Sequence, residues 1–209
     1  MSKIIFFDID NTLTEDNSWE RLNTAAGVTP EEDYVLYKEF HSGKISYKEW
    51  TDQLEYLYNT RQQLTQETAH QALTSFSIRY DAKSTIKQLQ ARGYEVVLLT
   101  GGFKTTAESL AHELNIKTFL YVTDLDFSNQ KVNLVSKGEE SEIKLQLAKE
   151  YCNTHKLDLT VQYAVGDSSN DIPLFKAVAR SFVFTWSKDE VKEHSTDLID
   201  NLRDVLKVL

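Results

Sequence analysis

The 209-residue chain contains one cysteine, two prolines and no long uninterrupted apolar run. Each shortage excludes something. Cys152 has no partner for an intrachain disulfide, and its surroundings read as an amphipathic helix, where a buried, inert thiol is the usual outcome. No stretch is long and apolar enough to span a bilayer, and no basic, apolar and small-residue leader follows Met1. A cytoplasmic protein without a membrane partner is expected. Cationic residues are also scarce. The chain has 23 Lys and Arg against 32 Asp and Glu, a formal charge of −9, and no basic block, which argues against a nucleic-acid partner. An enzyme so acidic that acted on a phosphate would need local cations, from side chains or a metal, to draw the anion in.

The chain is 41% apolar and 26% charged, as expected for one globular domain, or a core with an inserted module. Residues 4–14, Ile-Ile-Phe-Phe-Asp-Ile-Asp-Asn-Thr-Leu-Thr, are the most informative. Ile4 to Phe7 suits a strand buried on both faces of a parallel sheet. It ends in Asp8 and Asp10, placed where ligands of open α/β sheets bind. Two carboxylates about 5 Å apart repel by roughly 3 kcal/mol at an effective dielectric near 20. An oxygen-ligated cation such as Mg²⁺ is the expected neutraliser.

Helical spacing then occupies residues 15–79, in segments 16–26, 30–41, 46–59 and 65–77. Pro30 followed by Glu31, Glu32 and Asp33 marks one start, and Gly27 and Gly43 mark joints. From residue 80 onward strands and helices alternate. Strands are expected at 94–99, 119–122, 161–165 and 181–185, helices at 82–92, 103–114, 139–155, 172–178 and 201–209, and a hairpin at 125–135 around Ser128-Asn129. This pattern predicts an α/β fold, a doubly wound, mostly parallel Rossmann-like sheet. Residues 1–14 and 80–209 form the core, and 15–79 a helical-bundle cap inserted after the first strand. Two further loops fall at strand ends. Thr100-Gly101-Gly102-Phe103 puts a hydroxyl and two small residues at an expected helix start, a phosphate seat. Gly166-Asp167-Ser168-Ser169-Asn170-Asp171 adds two acids at the same sheet edge.

In order and spacing, these motifs resemble the haloacid dehalogenase-like superfamily across nearly the whole chain. Gly43-Lys44-Ile45-Ser46-Tyr47 and Gly101-Gly102-Phe103 make the likeness strongest to its phosphoserine phosphatase-like branch, which carries a helical cap at the same place. The resemblance implies a Mg²⁺-dependent phosphomonoesterase acting on a small phosphorylated metabolite. Asp8 would be the nucleophile and Asp10 the acid/base. Mg²⁺ would be held by Asp8, the Asp10 carbonyl, Asp167 and Asp171. Thr100 and Gly101 would bind phosphoryl oxygens, with Thr12 and Asn170 beside them, and a lysine would offset their charge. Lys137, just before the expected helix, is preferred for that lysine, with Lys144 and Lys131 as alternatives. If 15–79 is a lid, the leaving group meets Asn17, Tyr47, Trp50 and Leu54. Asn17 and Leu54 fall where the branch carries a glutamate and an arginine for the substrate's ammonium and carboxylate, so phosphoserine is expected to be a poor substrate. Phosphoserine hydrolysis is one alternative, and non-catalytic phosphometabolite binding the other. Nothing in the sequence reads out an oligomeric state.

Overall fold

The computed structural model describes residues 3–61, 63–128 and 131–209. Its centre is a seven-stranded sheet in the order β4-β3-β2-β1-β5-β6-β7, parallel except for β4. The strands are β1 (Lys3–Phe7), β2 (Tyr94–Phe103), β3 (Thr118–Asp126), β4 (Asn133–Ser136), β5 (Tyr163–Gly166), β6 (Arg180–Phe184) and β7 (Asp197–Ile199). In β1 the pleat sends alternate side chains to opposite faces. Ile5 and Phe7 join one hydrophobic cluster with Val96, Leu98, Phe182 and Phe184. Ile4 and Phe6 join the other with Val97, Leu99, Ala164 and Val183. Helices α5 (Ala82–Ala91) and α6 (Lys104–Glu113) cover the first face, and α7 (Glu140–Thr154) covers the second.

Between β1 and α5 lie α1 (Ser18–Ala25), α2 (Pro30–His41), α3 (Tyr47–Arg61) and α4 (Gln66–Thr74). The start of α2 follows from the Thr29 side chain, which accepts from the Glu32 amide while Glu32 reaches back to the Thr29 amide. These helices bury Leu22, Trp50, Leu54, Tyr58 and Leu73 in a third cluster, which also takes in Phe103 and Val132 from the sheet side. The chain ends in α8 (Ile172–Phe175), α9 (Asp189–Lys192) and α10 (Val205–Val208).

Several boundaries differ from the sequence reading. Strand β2 does not stop at 99. It runs through Thr100, Gly101 and Gly102 to Phe103, with its register to β3 shifted between Thr100 and Phe103, and α6 begins only at Lys104. The expected phosphate seat is therefore a bulged strand end, and the Thr100 hydroxyl accepts from the Gly102 amide at 2.9 Å within it. The 119–122 strand is a nine-residue β3 paired antiparallel with β4. Asn129 of the expected Ser128-Asn129 turn lies outside the described residues. Helix 172–178 is shorter than expected, and 201–209 is a tight turn at Leu202–Asp204 followed by the short α10.

Candidate active site

The sheet order reverses at β1, whose neighbours β2 and β5 lead away on opposite sides, so its carboxyl end is the switch point where open α/β sheets hold ligands. Asp8 stands there. Its amide donates to the Val165 carbonyl at 2.9 Å, and the residue is 6% exposed. Next in the chain, Asn11 adopts a left-handed conformation (φ +58°), which asparagine tolerates well. Arg79 donates to the Thr12 carbonyl at 3.0 Å and the Asn11 carbonyl at 2.6 Å, clamping the turn from the far side of the insertion.

Three carboxylates converge at this point. Asp8, Asp167 and Asp171 each offer an oxygen within 4.8 Å of the others. Asp171 is oriented by the amides of Asp167 (3.1 Å) and Ser168 (3.3 Å), both donating to Oδ2. The approach requires Gly166, because a Cβ there would overlap the Asp171 carboxylate. The cation among them is Lys144. Its Nζ lies 2.7 Å from Asp8 Oδ1, 2.5 Å from Asp171 Oδ1 and 3.2 Å from Asn170 Oδ1, and the residue is wholly buried. Burial, tempered by Lys144, pushes the Asp8 carboxyl up to about 7, and the neighbouring Asp171 and Asp10 charges add to the rise. Lys144 is driven the other way from a typical buried lysine. Asp171 and Asp8 outweigh its desolvation and raise its pKa.

Lys144 takes the place expected for Lys137. The Lys137 ammonium is exposed, donates to the Tyr121 carbonyl at 2.8 Å and lies 3.7 Å over the Tyr121 ring. Lys144 is aimed inward because it shares the buried stripe of α7 with Ala148 and Cys152, at spacings of four. A lysine on an otherwise apolar stripe was the sequence signal for it.

The Asp10 side chain stands apart from that trio. Its two oxygens accept from the Ser18 amide (2.8 Å) and the Ser18 hydroxyl (2.5 Å), so the N-terminus of α1 is docked on it. Burial raises its pKa, with the Ser18 bonds and Arg21 opposing. Gly102 makes room for the contact, since a Cβ there would come 2.6 Å from Ser18 Oγ and 2.8 Å from Asp10 Oδ2. Asn170 is at the centre as expected, accepting from Lys144 and donating to Glu140 Oε2 at 2.9 Å. Thr12 is fully buried, and its hydroxyl donates to Asp167 Oδ1 at 3.3 Å, which makes it a support for Asp167 and leaves it no surface for a substrate.

The insertion residues divide. Tyr47 meets Thr123 Oγ1 at 3.4 Å, and Thr123 in turn donates to the Gly101 carbonyl at 3.2 Å. The Trp50 ring packs 4.7 Å from Trp19, which lies 4.5 Å from Phe103. Asn17 is half-buried and Leu54 is withdrawn from any cleft. Asn17 accepts from the Trp19 amide as the cap of α1, and Leu54 is sealed with no exposed surface. The sequence reading missed Glu140, one turn before Lys144. Its Oε1 accepts from Trp19 Nε1 at 3.0 Å, joining α7 to α1.

The sequence profile of the haloacid dehalogenase-like hydrolases matches residues 2–179, and the chain belongs to that family. It is 27% identical over 211 residues to the phosphoserine phosphatase of Methanocaldococcus jannaschii, an alignment covering 99% of this chain and 97% of that one. With the phosphoserine phosphatase of Lactococcus lactis the identity is 26%, over 99% and 93% of the two chains. Among solved structures it is similar to a phospho-aspartyl intermediate analogue of phosphoserine phosphatase, with a TM-score of 0.85 and 26% identity over 100% and 99% of the chains. The chain is a phosphatase of the phosphoserine phosphatase-like branch.

Proposed function

We propose that the chain hydrolyses a small organic phosphate monoester through an aspartyl-phosphate on Asp8. The observation that carries this reading is Asp8 itself, a buried carboxylate at the switch point with one oxygen held by Lys144 and the other without a hydrogen bond among the described residues. An Asp8 oxygen attacks phosphorus as the ester P–O bond breaks, and Asp10, kept protonated to higher pH by burial, gives its proton to the departing alkoxide. Asp10 then takes a proton from water, whose oxygen attacks the same phosphorus. The P–O bond to Asp8 breaks, phosphate leaves and the carboxylate returns. Lys144, the Asn170 amide and the Thr100–Gly101 bulge face the phosphoryl oxygens.

The three clustered carboxylates form a hard, oxygen-only donor set, which suits Mg²⁺. Asp8, Asp167 and Asp171 would hold it, and it would supply charge neutralisation for the phosphoryl group. The insertion 15–79 acts as a lid in this reading, and α1, docked on Asp10 through Ser18, is its contact with the chemistry. A test is phosphate release from p-nitrophenyl phosphate with and without Mg²⁺, with Asp8→Asn as control. Metal-dependent turnover that falls below a few per cent in the variant is expected. Residual activity above that level removes Asp8 from its role.

For the substrate, the names of the relatives favour phosphoserine and lend no support to the expectation that it is a poor one. The three arginines of residues 15–79 each have protein partners, but Arg21 Nη2 is buried with none among the described residues, so they do not argue against phosphoserine. Arg21 pairs with Asp16, Arg61 with Glu32, and Arg79 with backbone carbonyls. A kcat/KM for phosphoserine above about 10⁵ M⁻¹s⁻¹, inside the ordinary enzyme range, would establish it as the substrate.

A further inference from the structure

The peptide between Gly101 and Gly102 sits in the bulge of β2, where neither residue has a side chain to fix it. Two hydroxyls hold it instead. Its carbonyl, on Gly101, accepts from Thr123 Oγ1 at 3.2 Å, and its N–H, on Gly102, donates to Thr100 Oγ1 at 2.9 Å. A peptide unit is planar, so fixing both ends fixes its orientation. The consequence reaches the seat assigned to the phosphoryl group. Thr100 Oγ1 accepts from Gly102, so its single hydrogen is not spent within the bulge and can go to a phosphoryl oxygen. Thr123 is wholly buried in β3, and its one hydroxyl hydrogen goes to Gly101. The Tyr47 hydroxyl, 3.4 Å from Thr123 Oγ1, is therefore the donor of that pair. Tyr47 opens α3 of the insertion and is 8% exposed, and burial keeps its phenol protonated well above the ordinary tyrosine range.

Resting on the phosphatase reading above, we infer that Thr123 is a positioning residue for phosphoryl transfer, and that Tyr47 places it under the control of the insertion. Donation runs one way, from Tyr47 to Thr123 to the Gly101 carbonyl, and the same peptide turns its N–H onto Thr100. Both residues act through the bulge, by holding Thr100 Oγ1 and the Gly101 amide where developing charge needs donors. With Tyr47 withdrawn, Thr123 loses its incoming bond. Its own bond to Gly101 then weakens, because chained hydrogen bonds polarise one another. The seat is fully set only when the insertion is docked.

The test compares Thr123→Val, which keeps the shape and removes the hydroxyl, with Thr123→Ser, which keeps the hydroxyl. Tyr47→Phe and the double variant Tyr47→Phe/Thr123→Val complete the set. Turnover of p-nitrophenyl phosphate and inhibition by orthovanadate, a mimic of the phosphoryl group in its transition state, are measured for each with Mg²⁺. Thr123→Val should lower kcat by about 10- to 100-fold with KM within about threefold, and weaken vanadate inhibition by a similar factor to kcat. Thr123→Ser should return kcat to within about threefold of the wild type. Tyr47→Phe should lower kcat about threefold, the scale of one neutral hydrogen bond, and should cost nothing further on top of Thr123→Val. Wild-type kcat in Thr123→Val or in Tyr47→Phe, a serine variant no better than the valine, or losses that multiply in the double variant each overturn the inference. So does a lower kcat with unchanged vanadate inhibition, which would mean only that less of the protein is folded. A wild type that leaves p-nitrophenyl phosphate untouched brings down the phosphatase reading and the inference with it. Wild-type turnover with a flat variant series brings down the inference alone.

Discussion

Lys144 carries a heavy electrostatic duty, because among the described residues Asp8 and Asp171 pair with no other cation. Lys144→Met should leave two buried carboxylates uncompensated, costing about 3–5 kcal/mol of stability, and should lower kcat at least 10³-fold. Lys137→Met, at the exposed position over Tyr121, should change neither by more than a few-fold. Thermal unfolding and p-nitrophenyl phosphate turnover of the two variants check the contrast. Asp10 has a different signature. Asp10→Asn should slow alkyl phosphates with poor leaving groups far more than aryl phosphates, which leave without a proton, and equal losses would reduce Asp10 to an anchor for Ser18. The acids of the site were legible because they punctuate apolar strands. The lysine was not, since position along the chain favoured Lys137, and only the helical stripe with Ala148 and Cys152 points to Lys144. Leu54 was misjudged for a related reason, and Asn17 serves as a helix cap that spacing did not reveal. Spacing places a residue near a site but does not say whether its side chain is spent on a cap or sealed in a core.

Among the elements, the two loops that shape the site depend on glycines whose missing Cβ leaves room for a carboxylate. Gly166→Ala should push Asp171 away and with it Lys144, lowering kcat by about 10²-fold and raising the Mg²⁺ concentration needed for half-maximal activity. A Mg²⁺ titration of activity reads both, and an unchanged half-point would mean that Asp171 keeps its place. Long, strongly patterned elements were readable, and α2 matches its expected bounds 30–41 because proline, acids and a capping box all mark its start. The short ones were not. Strand β7 has three residues, Asp197–Ile199, and α9 has four, too few for any period to show. The extension of β2 to Phe103 escaped because Thr-Gly-Gly reads as a strand end, while here the strand crosses a bulge at Gly101-Gly102 and pairs again through Phe103 with Thr123 of β3.

For the molecule as a whole, acid crowding at one edge of the sheet ties stability to pH. Burial raises the pKa of Asp8 to about 7, lifts that of Asp167 well above its ordinary value and also raises those of Asp10 and Glu140. The folded chain thus binds more protons than the unfolded one at pH values between the ordinary and the raised pKa, so stability falls as pH rises through that interval. Metal-free protein should melt at higher temperature at pH 6 than at pH 8, and saturating Mg²⁺ should narrow or reverse the difference. Scanning calorimetry with and without chelator decides it, and a higher melting point at pH 8 without metal would contradict the assigned burial. The indole bond from Trp19 on α1 to Glu140 on α7 joins the insertion to a core helix. Trp19 and Trp50 are buried together, while Trp186 is 53% exposed and stacked on Phe184. The protein therefore carries its own optical gauge. If residues 15–79 act as the lid proposed above, their separation from the sheet should wet one indole pair and shift its emission to the red against the steady background of the third, which stopped-flow fluorescence would read without any attached dye.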